Sequence, residues 1–336
     1  MKGEKMMFEN PVFMCIDAGG ENCPCRLAES GNCIACGRLS GQDCSGCRWH
    51  GVCIYNEYIQ GGKKIKNNRE EKEVPIVEME IYDEILYLGL NVGKGFAIKC
   101  YPAGTYVFLR SKDREQFYNV PISVMRADIE KGVIYLLVKC ISSKTKALQD
   151  VKETVVIRGP YRNGVFGIDE LYTSLRDAER EGRRGKILAI SRSVGIAPAE
   201  KLIQVFGNKH DITLMADLSN MRRGIIEKHL NEKPAAFSEL DLTDEKNIKK
   251  IRDEIVGGRY DFIAVFTSDY YINLIGDLTE ELNFRGRMAV SNNFNICCGE
   301  GICGACSVAG KNGETLKMCK CRLSGEESIK RKVIYK

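Results

Sequence analysis

The chain has 336 residues, 44% hydrophobic and 28% charged, with a formal net charge of +5; that length exceeds one ordinary core and predicts several domains, in a composition normal for a globular protein. The positive charge lies in short pairs such as Arg183–Arg184 and Arg222–Arg223, which read as solvated surface rather than a nucleic-acid footprint. No apolar run reaches the length of a membrane span, and residues 1–20 hold no signal-peptide core, so the expected setting is the cytoplasm, with neither membrane nor nucleic acid as a partner.

In chain order, residues 1–58 come first as a cysteine- and glycine-rich segment. Eight of the sixteen cysteines fall here: Cys15, Cys23, Cys25, Cys33, Cys36, Cys44, Cys47 and Cys53. The segment has too few apolar residues to build a core, and thiols in a reducing compartment point to metal rather than disulfides. Cys33/Cys36 and Cys44/Cys47 form two C-x2-C pairs seven residues apart; they can supply four thiolates to one metal, and eight thiolates can serve two sites. The gap is shorter than in a zinc ribbon. A second iron–sulfur cluster, which would extend an electron path, and zinc, which would make a docking module, both remain open. Residues 59–73 are polar and charged and read as a linker.

From 74 to 170, short apolar runs (76–81, 84–90, 106–109, 133–138 and 155–157) are separated by Gly, Pro and charged turns, predicting a small antiparallel barrel or sandwich. Cys100 and Cys140 sit in apolar runs here and read as packed thiols. From 171 to 290 the pattern alternates. Buried strands are expected at 187–190, 212–216 and 262–266, with a helix at 199–206 after the first. This implies a parallel sheet covered on both faces.

The last region, 291–336, holds Cys298, Cys303, Cys306 and Cys319 in the spacing C-x4-C-x2-C-x12-C. The first three spacings are those of plant-type 2Fe–2S proteins. Two irons need four thiolates in a tightly wrapped loop, and Gly299, Gly301 and Gly304 let backbone amides approach the sulfurs. Zinc usually takes two separated C-x2-C pairs. Cys297 and Cys321 are extra, and the glycine pattern favours Cys298. The fold expected from these patterns is an α+β multidomain protein: a metal-bound N-terminal segment, an antiparallel β-barrel, an α/β parallel-sheet domain and a small C-terminal 2Fe–2S domain.

Over residues 74–325 the sequence resembles the electron-transfer subunit of dihydroorotate dehydrogenase, within the ferredoxin–NADP reductase superfamily. Ser291 to Cys306 is the most specific part. Pro102–Arg110 is similar to that family's Pro-Gly-Gln-Phe strand, Pro121–Val124 to its Arg-Pro-x-Ser flavin motif, Gly159–Phe166 to its Gly-Pro-Leu-Gly-Asn-Gly-Phe segment and Val194–Pro198 to the end of its nucleotide loop. The resemblance implies that the antiparallel β-barrel is of the flavin-binding type and the α/β parallel-sheet domain nucleotide-binding-like, with FAD at Tyr118, Pro121, Ile122, Ser123, Val124, Ser142, Lys144, Thr145, Gly159 and Pro160, and NAD(H) at Gly195, Ile196, Ala197 and Pro198. It also implies a partner oxidoreductase subunit or a ferredoxin-like electron carrier.

The departures are specific. The flavin-motif arginine is Val120, and the phosphate loop is Ser142-Ser-Lys-Thr145, where Lys144 can restore charge. The glycine turn of the nucleotide loop is Ser191-Arg-Ser193, whose Cβ atoms crowd the space a phosphate takes. The family's Cys-Gly-Pro is Thr267-Ser-Asp269. Asp217, at a strand end, can bind a ribose hydroxyl. His50, His210 and His229 stand in no catalytic spacing, so no side-chain acid–base catalysis is expected. The function expected is that of a flavo-iron–sulfur electron-transfer subunit. The alternatives are a relay that no longer touches nicotinamide and a non-enzymatic metal-binding scaffold or redox sensor.

Overall fold

A computed structural model describes residues 15–219, 221, 223–230, 234–310 and 315–332. The first fourteen residues of the cysteine-rich segment, Arg222, and residues 311–314 and 333–336 of the C-terminal region lie outside them. The chain forms two compact units, one of residues up to Asn68 with Cys298–Arg322, the other of Arg69–Cys297 with the chain from Leu323 onward.

The first unit joins the two ends of the chain, which the sequence reading treats as separate 1–58 and 291–336 segments. The reason is a shortage of apolar side chains at each end. The buried residues of its N-terminal core cluster are Cys23, Ala28, Leu39 and Ile54, carried by two short helices, α1 (Arg26–Glu29) and α2 (Ile54–Gln60), and the turns around them. The C-terminal part contributes a small hairpin, Ser307–Ala309 against Thr315–Lys317. Cys15 pairs with Cys321 in an isolated antiparallel bridge, and the Ile16 amide donates to Lys320 O at 2.7 Å. Leu27, 1% exposed, packs so closely on Gly301 that a Cβ there would stand 3.0 Å from Leu27 Cδ1. Lys320 is fully buried between Asp17 (2.6 Å) and Glu300 (3.0 Å). A buried ammonium needs such partners to offset lost hydration, so this contact fixes one end of the chain against the other.

The second unit begins with a closed antiparallel barrel, in the order β1-β2-β5-β4-β3-β6. Its strands are β1 (Glu71–Tyr82), β2 (Ile85–Asn91), β3 (Tyr106–Ser111), β4 (Val120–Asp128), β5 (Val133–Lys139) and β6 (Thr154–Tyr161); α3 (Lys94–Lys99) and α4 (Ser143–Lys146) lie between strands. Strand β1 takes the last residues of the expected linker. Along β2 and β5 the side chains split by the pleat. Leu86, Leu88, Leu90, Ile134, Leu136 and Val138 fill the barrel, while Tyr87, Tyr135 and Leu137 join the core of the α/β part. Both faces are covered, which is why these runs read as continuously apolar.

The rest of the second unit is β7 (Val165–Phe166), α5 (Ile168–Arg180), β8 (Lys186–Arg192), α6 (Ile196–Phe206), β9 (Asp211–Asp217), α7 (Arg223–His229), β10 (Ala236–Glu239), α8 (Glu245–Gly258), β11 (Phe262–Phe266), α9 (Asp269–Glu281), β12 (Arg287–Ser291) and α10 (Gly325–Lys332). The sheet order is β10-β9-β8-β11-β12-β7, parallel except for the short edge strand β7. Residues from 323 belong to this unit because α10 follows the Gly167–Leu323 hydrogen bond and Glu326 accepts from the Met288 amide of β12 at 3.1 Å. Helix α6 ties sheet to barrel through Gln204, whose side chain bonds both the amide and the carbonyl of Ala127 (3.1 and 2.9 Å).

Candidate functional site

The C-terminal loop brings the four predicted thiols together. Side-chain contacts run from Cys303 to Cys298, from Cys298 to Cys319 and from Cys319 to Cys306. Gly299, Gly301 and Gly304 have φ of 70°, 75° and 77°, a region L side chains rarely enter, and the turns they make aim amides at sulfur. Glu300 N donates to Cys298 Sγ at 3.3 Å and Cys319 N to Cys306 Sγ at 3.4 Å; the Cys303 and Ala305 amides donate to Cys298 and Cys303. The Cys319 thiol first, and then these amides, pull Cys298 and Cys306 down from the ordinary thiol value, while Cys319 is pushed up. Of the two extra cysteines, Cys297 is exposed and Cys321 is buried in its bridge to Cys15.

On the barrel, the flavin candidates Pro121–Val124 lie on β4, paired antiparallel with β3 so that Ser123 stands opposite Tyr106 and Pro121 opposite Phe108. Pro121 is exposed, Ile122 and Ser123 are half-buried, and Val124 is buried. Just before β4, Tyr118 ends a short turn with Arg114 over its ring (5.2 Å). Its neighbour Phe117, 69% exposed, has Lys144 Nζ 3.9 Å above its ring. Tyr118 and Lys144 therefore share one patch of aromatic and cationic groups. Ser142 and Thr145 stand beside it, but each accepts the other's backbone amide (3.2 and 3.0 Å) and so closes the start of α4. Gly159 and Pro160 lie on β6, where Pro160 O accepts from Arg69 at 3.0 Å.

In the sheet, β8 runs into the loop that resembles a nucleotide turn. Ser193 adopts φ +51°, so the left-handed turn survives without glycine. Gly195 packs against β11, where a Cβ would meet Phe266 O at 2.0 Å; this is the close helix–strand contact that the last glycine of such loops provides. Ile196 and Ala197 are buried and Pro198 half-buried at the start of α6. Over the carboxyl ends of β8, β9 and β10 opens a cleft lined by Arg192, Asp217, Ser219, Glu239, Asp241 and Thr243. Asp217 is saturated there: it accepts from Arg192 Nε (2.8 Å), Ser219 N (2.7 Å) and Leu242 N (3.1 Å). That carboxylate holds the strand end and the Arg192 guanidinium, whose pKa it raises.

No family model matches the chain, and no curated protein matches it. Among solved structures, an NADH-dependent reduced ferredoxin–NADP oxidoreductase studied for flavin-based electron bifurcation covers 78% of this chain and 94% of its own, at 18% identity and TM-score 0.57. The ferredoxin reductase in carbazole 1,9a-dioxygenase is 11% identical over 67% of this chain and 70% of its own, with TM-score 0.46. A siderophore-interacting protein from Acinetobacter baumannii is 9% identical over 60% and 78%, with TM-score 0.42.

The second unit has a ferredoxin–NADP reductase-like fold. In this setting the β4 shelf and the α6 turn are the barrel and sheet positions that the sequence motifs mark.

The N-terminal cysteines fall into two classes. Cys15 and Cys23 are buried and Cys25, Cys33 and Cys36 half-buried, while Cys44, Cys47 and Cys53 are exposed. The sequence reading did not single out Phe117 and Arg114, whose placement beside Tyr118 and Lys144 depends on the barrel closing. Nor did it find the cluster of Glu78, Glu80 and His229, whose ligand atoms lie within 4.8 Å of one another. That cluster is engaged in packing: Glu80 meets Lys228 and His229, and the His229 ring stacks on Tyr87 at 3.7 Å.

Proposed function

We propose that this chain is a flavo-iron–sulfur electron-transfer protein, with FAD on the barrel, a 2Fe–2S cluster on Cys298, Cys303, Cys306 and Cys319, and a partner oxidoreductase subunit or ferredoxin-like carrier. The observation that carries the reading is the cysteine quartet. Four thiols linked in sequence, with amides pointing at three of the sulfurs and left-handed glycines in the loop, match the donor set such a cluster needs. The barrel carries side chains suited to a flavin. Pro121, Ile122 and Ser123 offer accessible positions on β4, Phe117 and Tyr118 offer rings for stacking, and Lys144 offers the charge that Val120 lacks. Bound flavin would exchange two electrons with an organic donor and single electrons with a cluster. The chain's own part is to orient both groups and set their surroundings.

The test is oxygen-free preparation of the full chain. It should contain FAD, iron and acid-labile sulfide, with a visible band that bleaches on reduction. Cys303→Ser should abolish the cluster band and retain FAD, whereas Cys321→Ser should leave the band in place. A band that survives Cys303→Ser would remove the assignment.

A second reading, a relay without nicotinamide, is favoured by the cleft over β8–β10. Its lining has three carboxylates against Arg192, which is already paired to Asp217. Dinucleotide phosphates would meet a negative wall where doubly wound sheets normally offer glycines and amides. The similar oxidoreductase is described as NADH-dependent, so the two readings divide on one measurement. Anaerobic NADH or NADPH that reduces the isolated protein within seconds would exclude the relay; slow or absent reduction, with dithionite still effective, would support it.

A further inference from the structure

The first unit holds more sulfur than one cluster uses, and the structure sorts it. Cys15, Cys23, Cys25 and Cys33 line one small cavity, with Leu27 and Ile54 among its apolar walls; Cys36, Cys44, Cys47 and Cys53 do not line it. Backbone amides face three of the four lining sulfurs: Asp17 toward Cys15, Gly19 toward Cys23, and both Ala35 and Cys36 toward Cys33.

A neutral buried thiol has no such need. Cys100 and Cys140, 0% and 2% exposed, provide the comparison within the same chain. Cys100 is influenced by burial, Lys201 and Arg162 and by no amide, and Cys140 Sγ faces the Val138 carbonyl as a weak donor at 3.9 Å. Donors aimed at sulfur are what a metal-bound thiolate uses. The local geometry also repeats. The amide two residues ahead serves Cys15 and Cys33, as it serves Cys298 and Cys303 in the C-terminal quartet.

We propose that Cys15, Cys23, Cys25 and Cys33 hold a second iron–sulfur cluster beside the one at Cys298–Cys319. The spread of the sulfurs favours a cluster over one ion. Among the described residues no three cysteine sulfurs lie mutually within 4.8 Å, whereas four thiolates on one zinc, with bonds of about 2.3 Å, sit about 3.8 Å apart. The two quartets are tied together. Leu27 walls the N-terminal cavity and packs on Gly301 of the other loop. Lys320, between Cys319 and Cys321, pairs with Asp17 and Glu300, each two residues beyond a proposed ligand. The assignment takes its purpose, but not its chemistry, from the electron-transfer reading, since a second cluster would lengthen the path of single electrons.

The experiment uses the full chain prepared without oxygen, analysed for iron, sulfide and zinc per chain, with electron paramagnetic resonance after dithionite reduction. Wild type should hold more iron than one 2Fe–2S cluster accounts for and show two reduced-cluster signals. Cys23→Ser should lose about half the iron or more and one signal, while the signal that Cys303→Ser removes remains; Cys47→Ser, outside the cavity, should keep both. If Cys23→Ser does not fold, the wild-type iron count and the two signals decide alone. Two irons per chain with FAD present would overturn this proposal and leave the proposed function intact. Absence of all iron would overturn both. Zinc in place of the additional iron would overturn the cluster.

Discussion

Lys201 shows what a single side chain can decide. It lies on α6 with 1% of its surface exposed, and its ammonium finds a neutral acceptor, Gln204 Oε1, at 2.8 Å and the Tyr101 ring at 5.5 Å. Burial, the dominant cause, lowers its pKa from 10.5 to about 7. The unfolded chain therefore binds more protons than the folded one between those two values, and unfolding free energy rises with pH across that window. At or below about pH 7 the folded protein carries the whole penalty. Lys201→Met keeps the stem's packing and removes the charge, so it should stabilise by about 2–4 kcal/mol near pH 6. The gain should fade toward pH 10. Denaturant melts of wild type and variant at both pH values check this; equal gains at both would mean that packing, not charge, is responsible.

At the scale of an element, the β8–α6 turn separates two roles that glycine can play. Gly195 is required by space, because any Cβ there would stand 2.0 Å from Phe266 O. Gly195→Ala must push α6 away from β11 and should cost about 2–3 kcal/mol. Ser193 instead carries a side chain at φ +51°, a conformation costing roughly 1–2 kcal/mol outside glycine. Ser193→Gly relieves that strain but loosens the unfolded chain, so the net gain should be at most about 1 kcal/mol. Opposite signs in thermal melts of the two variants are the expected outcome; destabilisation by both would show that Ser193 makes contacts that outweigh its strain. The same elements show what sequence can reveal. Strands β8, β9 and β11 were legible because burial on both faces makes their apolar runs continuous. Strand β10 was not, because Ala236–Glu239 lies exposed at the sheet edge, and β4 was visible only as a motif because Pro121 and Ser123 break its pattern. The saturation of Asp217 was equally hidden, since its partners Arg192 and Leu242 lie 25 residues away on either side.

Across the whole molecule, the two units differ in what stabilises them. The barrel and sheet unit has extensive apolar clusters built from both its parts, enough to hold it without cofactors. Among the described residues, the cysteine-rich unit has the small N-terminal cluster of Cys23, Ala28, Leu39 and Ile54, the buried Leu27, Leu316 and Met318, and the buried Lys320 network. Cysteine spacing in the sequence pointed to metal at each end, but the joining of residues up to Asn68 with Cys298–Arg322 depends on contacts such as Ile16–Lys320 that span some 300 positions. On the proposed cluster assignments, a unit with so little core would draw its folding free energy from metal–thiolate bonds, whereas the larger unit would not need them. Removing metal with an anaerobic chelator should therefore melt the cysteine-rich unit alone. Limited proteolysis should then cut within residues 15–68 and 298–322 while a fragment beginning near Arg69 resists. Thermal scans should pass from two transitions in the metal-bound protein to the one belonging to the barrel and sheet. Protease resistance of both ends after complete metal loss would show that side-chain packing and the Lys320 pairs suffice to hold that unit together.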